Sequence, residues 1–227
     1  MFKKIDFVTK RCVSFLTFLM LTAGVILPGC ATQHKAQQKD DWISLFDGHS
    51  LDGWEASDKP GTFKVEDGKI VASGAESHLY YMGSVMDHDF KNFEFKAKVM
   101  TKPGSNSGIY FQTKYQAHGY PDNGFEVQIN NSSGDWKRTG CLYDIEDFGK
   151  HYAKDNEWFT MYIKVQNKNV IVKVNDKQVI DWTQPEGFKP PKNHPGRYIS
   201  SGTFALQEHD PKSVIYFKDI KVRPLPS

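Results

Sequence analysis

Short alternating segments dominate this sequence, and they constrain its fold more than any other feature. Phe93 and Phe95 alternate with Glu94 and Lys96, which is the two-residue period of a strand with one buried face. Similar segments recur as "SGIYFQTK", "GFEVQIN", "MYIKVQNKNVIVKVNDKQVIDW", "SGTFALQEH" and "VIYFKDIKV". Turn residues such as Asp67-Gly68 separate them, and we find no long helical period. The pattern predicts an all-β sandwich or barrel.

Length and charge limit the class of protein. The chain has 227 residues and a formal net charge of +2, which suits one domain with appendages. Aromatic residues make up 14% of the chain and allow a large core. Basic and acidic side chains are interspersed rather than clustered, so nothing in the charge pattern indicates a nucleic-acid partner.

The N-terminus has the layout of a targeting segment. Lys3 and Lys4 precede the apolar run "VSFLTFLMLTAGVILPGC", as in a secretory signal peptide. The end of this run, "LPGC", resembles a bacterial lipobox, so we expect residues 1–29 to be removed and Cys30 to carry lipid. This predicts a protein of the bacterial cell envelope, anchored in a membrane through Cys30, in the periplasm or at the outer membrane. A transmembrane helix of borderline length is the alternative.

The rest of the chain divides into a tether and one domain. Residues 30–41 are polar without hydrophobic periodicity and read as a flexible tether. We expect residues 42–227 to form the β domain. Cys141 is then the only cysteine of that domain, so no intrachain disulfide is expected, and we interpret Cys141 as a small buried apolar residue.

Three of the predicted strands carry amides where an ordinary solvated strand carries Lys, Glu and Thr. Opposite the apolar residues of each strand lies a polar set: Tyr110 and Gln112; Glu126, Gln128 and Asn130; Gln207 and His209. Amides offer both donors and acceptors and do not repel one another, which suits a neutral, hydroxyl-rich ligand such as a sugar. If the strands share a sheet, the sets converge into a pocket. The alternative is a wet face that holds amides by chance.

The segment "WKRTGCLYDIEDFG" is predicted to form a rim beside these strands. Asp144 could bind a hydroxyl, orient a base or hold a cation. We expect Glu146 and Asp147 to be solvated, as most acids in acidic loops are. Trp136 and Tyr143 could stack on a sugar ring or pack on their own domain.

Taken in order, these segments resemble a known family. The series "WISLFDGHSLDGW", "NSGIYFQ", "GFEVQI", "TGCLYD", "NEWFTMYIKVQNKNVIVKVNDKQV" and "ALQEH…YFKDIKV" is similar to the 3-keto-disaccharide hydrolase domain family, from Trp42 to about Val222. The resemblance implies a concanavalin/laminin-G-like jelly-roll sandwich of two curved antiparallel sheets, with a ligand site on the concave face.

The activity that the resemblance implies is cleavage of 3-keto-glycosides, by a hydrolase or a lyase. A ketone at C3 acidifies the C2 hydrogen, a base removes it, and the C1 substituent leaves by elimination. Water then adds to the unsaturated sugar. The route needs one base, stabilisation of the enolate and an acid for the leaving group, but not the paired carboxylates of ordinary glycosidases.

Roles follow from this chemistry and from the polar faces. Glu126 is the first candidate for the base, although it could instead only bind sugar hydroxyls. His209 could act as base, acid or metal ligand, or be a rim histidine. Glu126, His209 and Asp144 together could hold a divalent cation, although no metal-binding motif supports one. The remaining polar residues are assigned to substrate hydroxyls: Tyr110, Gln112, Gln128 and Gln207.

Two departures from the family and two other functions stay open. The family often has Arg where this chain has Gln112, and Gly where this chain has Asp210. A lipid-anchored carbohydrate-binding module without catalysis would share the fold. An ordinary endo-glycanase on a concanavalin-like fold would need a second carboxylate near Glu126 on its strand, and "EVQ" supplies only one.

Overall fold

A computed structural model describes residues 41–226. Within that range the chain forms thirteen β-strands and two short 3-10 turns, and it contains no α-helix. None of the helical turns in this part of the chain could span a membrane. The expected signal peptide and the lipidated Cys30 lie outside the described residues. The strands are β1 Ile43–Ser44, β2 Trp54–Ala56, β3 Phe63–Glu66, β4 Lys69–Ser73, β5 Ser77–Tyr81, β6 Phe93–Thr101, β7 Ser107–Thr113, β8 Phe125–Ile129, β9 Phe159–Gln166, β10 Asn169–Val174, β11 Lys177–Thr183, β12 Thr203–Glu208 and β13 Val214–Pro224.

The strands form two antiparallel sheets. The larger has the order β11-β10-β9-β6-β13-β4-β3, with β1 added on β13, and the smaller has the order β2-β5-β12-β7-β8. The all-β sandwich expected from the alternating segments is therefore confirmed.

The core lies between the sheets and is rich in phenylalanine. Along β6 and β9 buried side chains alternate with partly exposed ones, as expected for strands with one core-facing side. Phe204 of β12 contacts the rings of Phe90, Phe93 and Phe95 at centroid separations of 4.6–4.9 Å. Each such side chain contributes about 1.5–3 kcal/mol through burial, so these rings hold the smaller sheet on the larger one.

Turn chemistry sets the register of the hairpins. Asp67 and Gly68 both have positive φ, at 46° and 74°, and join β3 to β4 in the conformation that a tight two-residue hairpin requires. Asn175 and Asp176 do the same between β10 and β11, with φ of 49° and 63°.

One face of the smaller sheet is turned away from the core. We call it the pocket face and define it by these residues: His78 and Tyr80 of β5, Tyr110 of β7, Glu126 and Gln128 of β8, and Ala205 and Gln207 of β12. Beyond the edge strand β8, the segment 139–143 extends the sheet: the Gln128 N–H donates to the Cys141 carbonyl (3.0 Å) and the Tyr143 N–H to the Glu126 carbonyl (3.0 Å). The predicted acidic rim is thereby placed beside Glu126.

Candidate active site

A cavity of about 290 Å³ opens on the pocket face. Its volume is at the small end of the range of about 300–1,000 Å³ that is usual for ligand sites. Six of the residues predicted from the sequence line it: Tyr110, Glu126, Gln128, Tyr143, Gln207 and His209. The other lining residues are Asn106, Tyr120, Pro121, Asp135 and His194.

Strand register brings the predicted residues together. Tyr110 of β7 lies directly opposite Glu126 of β8, and Ala205 of β12 lies opposite Tyr110 on its other side. Gln207 of β12 is paired with His78 of β5. Since residues opposite one another in adjacent strands point to the same face, the polar sets meet because their strands are neighbours in one sheet.

Glu126 lies at the buried centre of the site. The Tyr110 hydroxyl donates a hydrogen bond to its Oε2 (2.9 Å), and Nη2 of the buried Arg197 lies 3.7 Å from the same oxygen. When the Gln128 side-chain amide is oriented so that its nitrogen and its oxygen both have hydrogen-bond partners, Nε2 donates to Glu126 Oε1 at 3.2 Å. Gly108 makes room for this carboxylate, because a Cβ at that position would collide with Oε1.

The surroundings of Glu126 bring its pKa to neutrality. Burial raises the pKa of the carboxyl to about 7, opposed by Arg197 and by the Tyr110 hydrogen bond. Burial, with Glu126 beside it, raises the pKa of Tyr110 well above its ordinary value, so the phenol stays protonated and donates. A general base works best with a pKa near the operating pH, and Glu126 meets this condition.

A second hydrogen-bonded group supports the floor of the cavity. Gln207 Nε2 donates to the Tyr110 hydroxyl (3.1 Å) and lies 3.3 Å from His78 Nε2. Burial, reinforced by the charge of His209, lowers the pKa of His78 to about 3, so this imidazole is neutral. The chain His78–Gln207–Tyr110–Glu126 fixes the orientation of the phenol that donates to the carboxylate.

Two further imidazoles stand in the wall of the cavity. His209 is partly exposed, with Nδ1 3.1 Å from Asp210 Oδ2, and its ring lies 5.9 Å from that of Tyr120. His194 Nε2 lies 3.1 Å from Asp144 Oδ2. Burial and Arg197 lower the pKa of His194, with Asp144 opposing them.

Asp144 is bound to protein partners and does not line the cavity. It pairs with Lys137 and His194. Burial alone would raise the pKa of Asp144, but the hydrogen bond and charge of Lys137 hold it below its ordinary value. Of the predicted roles, orienting an imidazole is the one that the contacts fit. Asp147 also differs from expectation: it is not simply solvated, since its Oδ2 lies 3.3 Å from Lys137 Nζ.

The placement of Gln112 in the cavity was wrong. Its φ is +52°, and the pairing of β7 with β12 shifts register beside it, as in a β-bulge, which breaks the alternation of faces. The buried amide donates to the carbonyls of Lys91 (2.8 Å) and Ser200 (2.9 Å) and accepts from the Ser200 N–H (3.0 Å). Gln112 therefore anchors the loop that carries Arg197.

Trp136 also lies outside the cavity. It is 58% exposed, while its neighbour Asp135 lines the site. Asn130 follows β8, and its amide donates to the carbonyls of Asp135 (2.9 Å) and Lys137 (2.8 Å). Stacking on a sugar ring stays a prediction for Tyr143, which lines the cavity and has the Lys137 ammonium 3.7 Å from its ring centroid.

The predicted cation ligands do not assemble. In residues 41–226 there is no group of three or more His, Cys, Asp or Glu side chains arranged to hold a metal ion. Glu126 instead faces Arg197, and Asp144 faces Lys137 and His194. Arg197 and Lys137 therefore supply the positive charge beside the carboxylates of Glu126 and Asp144.

Sequence reasoning missed several residues of the site. His194 and Arg197 come from the Pro- and Gly-rich segment "PPKNHPGRY", and Tyr120 comes from "HGYPDNG". These loops lack the alternating pattern from which the facing of a side chain can be predicted. The only signal in them is the presence of His, Arg and Tyr among turn residues, since binding residues are common in loops. His78 could have been found, since "SHLYY" alternates in the same way as the other strands.

Several solved structures with a similar fold have names that refer to carbohydrates. Two proteins from Parabacteroides distasonis ATCC 8503 with provisional glycosyl hydrolase names superpose with TM-scores of 0.69 and 0.65, at 22% and 23% identity. The alignments cover 82% and 81% of this chain and 94% and 99% of theirs. The carbohydrate-binding module CBM66 from Bacillus subtilis gives 0.51 at 14% identity, covering 75% of this chain and 95% of the module. At these identities the similarity establishes the fold alone.

The family comparison extends over nearly all of the described residues. A search of curated proteins gives no match. The model of the 3-keto-alpha-glucoside-1,2-lyase-like domain matches residues 41–223, which confirms the resemblance drawn from the ordered segments. The chain belongs to the 3-keto-alpha-glucoside-1,2-lyase-like domain family.

Proposed function

We propose that this protein cleaves 3-keto-glycosides by removing the C2 proton and eliminating the C1 substituent. The observation that carries the proposal is the buried carboxylate of Glu126, which has a pKa of about 7 and faces a cavity lined by amides, phenols and imidazoles. One base with a near-neutral pKa, rather than two carboxylates of opposite roles, is what a ketone-activated elimination needs.

In the proposed reaction the ketone at C3 of the sugar makes the C2 hydrogen acidic. Glu126 takes the proton from C2, and the electron pair of that C–H bond moves toward the C3 carbonyl to form an enolate. Collapse of the enolate forms the C1–C2 double bond and breaks the bond from C1 to the leaving oxygen, which takes up a proton. Addition of water across C1 and C2 completes a net hydrolysis, and release before that step makes the protein a lyase.

The cationic side chains around Glu126 can stabilise the negative charge that develops on the enolate. Arg197 and Lys137 both lie over the Tyr143 ring, and the positive charge of each favours the ionised form of Glu126. Fixed positive charge in a buried site stabilises an enolate without reorganisation. The position of Arg197 beside Glu126 depends on the loop that Gln112 anchors through Ser200.

We assign the proton for the leaving oxygen to His209. It stands at the partly exposed rim, where a leaving group can depart into solvent. His194 is the weaker candidate, because burial and Arg197 lower its pKa and make the protonated form scarce at neutral pH. With Nε2 directed to Asp144, a neutral His194 can accept a hydrogen bond from a substrate hydroxyl.

The test is a comparison of two substrates that differ only at C3. Purified protein is incubated with a glucoside and with its 3-keto counterpart, and the products are analysed. We expect release of the aglycone from the 3-keto compound alone, because without the ketone the C2 hydrogen is not acidic. Cleavage of both compounds at comparable rates would contradict the elimination mechanism.

A carbohydrate-binding module without catalysis is the second candidate. Its support is the similarity of the fold to CBM66 and the two amides of the pocket face that line the cavity, Gln128 and Gln207. Equilibrium dialysis beside the product analysis separates the two functions, since a binding module would retain the 3-keto-glycoside without releasing an aglycone.

A further inference from the structure

Four neighbouring strands place basic side chains on the outer surface of the larger sheet. In β6, β9, β10 and β13, partly exposed residues alternate with buried core residues. Seven basic against two acidic residues give these strands a net charge of +5, whereas the whole chain carries +2. We call this surface the basic face and define it by its six partly exposed lysines: Lys96, Lys98, Lys164, Lys173, Lys218 and Lys221.

Four of these lysines form two directly opposed pairs on adjacent strands. Lys96 of β6 lies opposite Lys221 of β13, and Lys98 lies opposite Lys218. Like charges directly opposite one another destabilise a sheet. Among residues 41–226, none of the six lysines forms an ion pair with a carboxylate. An anion bound between the ammonium groups would relieve this repulsion.

Protection against aggregation does not account for the opposed lysines. Lysine often blocks unwanted pairing at the edge of a sheet. However, β6 and β13 lie inside the larger sheet, and each has a hydrogen-bonded neighbour on both sides. The position of the lysines on inner strands therefore favours a surface for an anionic partner.

Tryptophan side chains lie among the ammonium groups of the basic face. Lys96 Nζ is 4.0 Å from the ring centroid of Trp42, and Lys218 Nζ is 4.3 Å from that of Trp158. Both indoles are partly exposed. Tryptophan is enriched at membrane–water interfaces, because its ring has an apolar body and a polar N–H. The combination of lysine and tryptophan suits the headgroups of anionic phospholipids.

The described chain enters the domain on the basic face. β1 pairs with the end of β13, where Ser44 lies opposite Lys221, and Trp42 precedes β1 and contacts Lys96. The predicted tether, residues 30–41, therefore joins the domain here. A flexible tether of twelve residues has a root-mean-square length of about 20 Å. Short flexible linkers give effective concentrations in the millimolar range, so weak attraction is enough to dock the face.

We propose that the basic face docks on the anionic phospholipid headgroups of the membrane that holds the predicted anchor. Lipid phosphates lie between the opposed lysines, and Trp42 and Trp158 lie at the level of the headgroups. The pocket face is on the opposite side of the sandwich, so the cavity of Glu126 opens away from the membrane. The inference rests on the predicted anchor and is independent of the proposed catalysis.

The experiment measures how fast a water-soluble acetylating reagent modifies individual lysines of the full chain in the presence of vesicles. The vesicles consist of phosphatidylcholine alone, or of phosphatidylcholine mixed with phosphatidylglycerol. Mass spectrometry of peptides gives the rate for each lysine. Since lipid on Cys30 inserts into both kinds of vesicle, a difference between them reports docking rather than anchoring.

We expect Lys96 and Lys98 to react more slowly on the anionic vesicles than on the neutral ones. The exposed Lys189 and Lys192, which lie outside both sheets, should react equally on the two and serve as internal controls. High salt should remove the protection, because it screens charges at a surface.

A double variant, Lys218→Gln with Lys221→Gln, removes one lysine from each opposed pair. A basic side chain near an anionic surface strengthens association about fivefold, so the loss of two should weaken docking about 25-fold. The rates at Lys96 and Lys98 on anionic vesicles should then approach those on neutral ones. The melting temperature should not fall, because repulsion between like charges is relieved.

The matched control, Lys189→Gln with Lys192→Gln, changes the net charge equally and should keep the protection of Lys96 and Lys98. Equal loss of protection in both double variants would overturn the inference, as would protection that persists in Lys218→Gln with Lys221→Gln. Protection by dissolved dextran sulfate but not by anionic vesicles would assign the face to an acidic polysaccharide and also overturn it.

Sedimentation with the vesicles separates docking from anchoring. A full chain that sediments with both kinds of vesicle without protection of Lys96 and Lys98 would refute docking and leave the anchor standing. Sedimentation with the anionic vesicles alone, with these lysines protected, would refute the anchor and support the binding of anionic lipid. A chain that sediments with neither would refute both.

Discussion

At the scale of single residues, the reactivity of Glu126 comes from opposed effects on one carboxyl group. Burial disfavours the ionised form, while Arg197 and the Tyr110 hydroxyl favour it. Burial prevails and raises the pKa to about 7, so the carboxyl group can both take and release a proton near neutral pH.

This balance predicts a pH dependence. The kcat/KM of the wild-type protein on a 3-keto-glycoside should rise with pH and level off above about 7, the pKa of Glu126. Tyr110→Phe removes a hydrogen bond that lowers this pKa, so the midpoint of the rise should move to higher pH. Initial rates measured from pH 5 to 9 give both midpoints, and a midpoint that does not move in Tyr110→Phe would show that Glu126 is not the titrating base.

The same pKa predicts a change in stability with pH. The pKa of Glu126 is raised from 4.5 to about 7 on folding, so its contribution to stability is fully present below pH 4.5 and is lost as pH rises through 7. Glu126→Gln does not titrate. Its melting temperature relative to the wild type should therefore be higher at pH 8 than at pH 5.

Thermal denaturation at the two pH values checks this, with Glu146→Gln as the control at an exposed acid of the same rim. An equal offset of Glu126→Gln from the wild type at both pH values would contradict the raised pKa.

At the scale of elements, the bulge in β7 connects a strand to the loop that carries Arg197. Gln112→Ala removes the three partly buried hydrogen bonds from this strand to Lys91 and Ser200, each of which contributes about 0.5–1.5 kcal/mol. We expect a lower melting temperature and a lower kcat/KM, with the pH midpoint moved upward as Arg197 loses its position.

Gln166→Ala, at a half-buried amide of β9, is the control for that prediction. If Gln112→Ala lowers stability but leaves the pH midpoint where it was, Gln112 supports the fold without positioning Arg197.

The alternation of residues predicted the strands and much of the site, because side-chain direction in a regular strand is fixed by position. Tyr110, Glu126, Gln128 and Gln207 were placed correctly for this reason. Gln112 was not, because a positive φ at one residue reverses the faces beyond it, and no glycine marks the bulge. Arg197 and His194 reach the site from a distant loop, through contacts that no local pattern in the sequence encodes.

At the scale of the whole molecule, one face of the smaller sheet points away from the core and carries the candidate site. The proposed lipid anchor, Cys30, precedes the first strand in the sequence. We propose that the protein is held at a membrane of the bacterial cell envelope through lipid on Cys30. Labelled palmitate should enter the wild-type protein and not Cys30→Ser, because the thiol is the acceptor. Equal labelling of the two would refute the anchor.

The most direct test of the central claim follows the C2 proton of a 3-keto-glycoside in deuterated buffer by NMR. With wild-type protein we predict that the C2 proton resonance disappears as the aglycone is released. With Glu126→Gln both should slow by about 10²–10⁴-fold, with KM nearly unchanged, because the lost interaction belongs to the transition state. Glu146→Gln should behave as the wild type. Loss of the C2 proton at a near-normal rate in Glu126→Gln would contradict the account and leave Glu126 as a residue that only binds substrate.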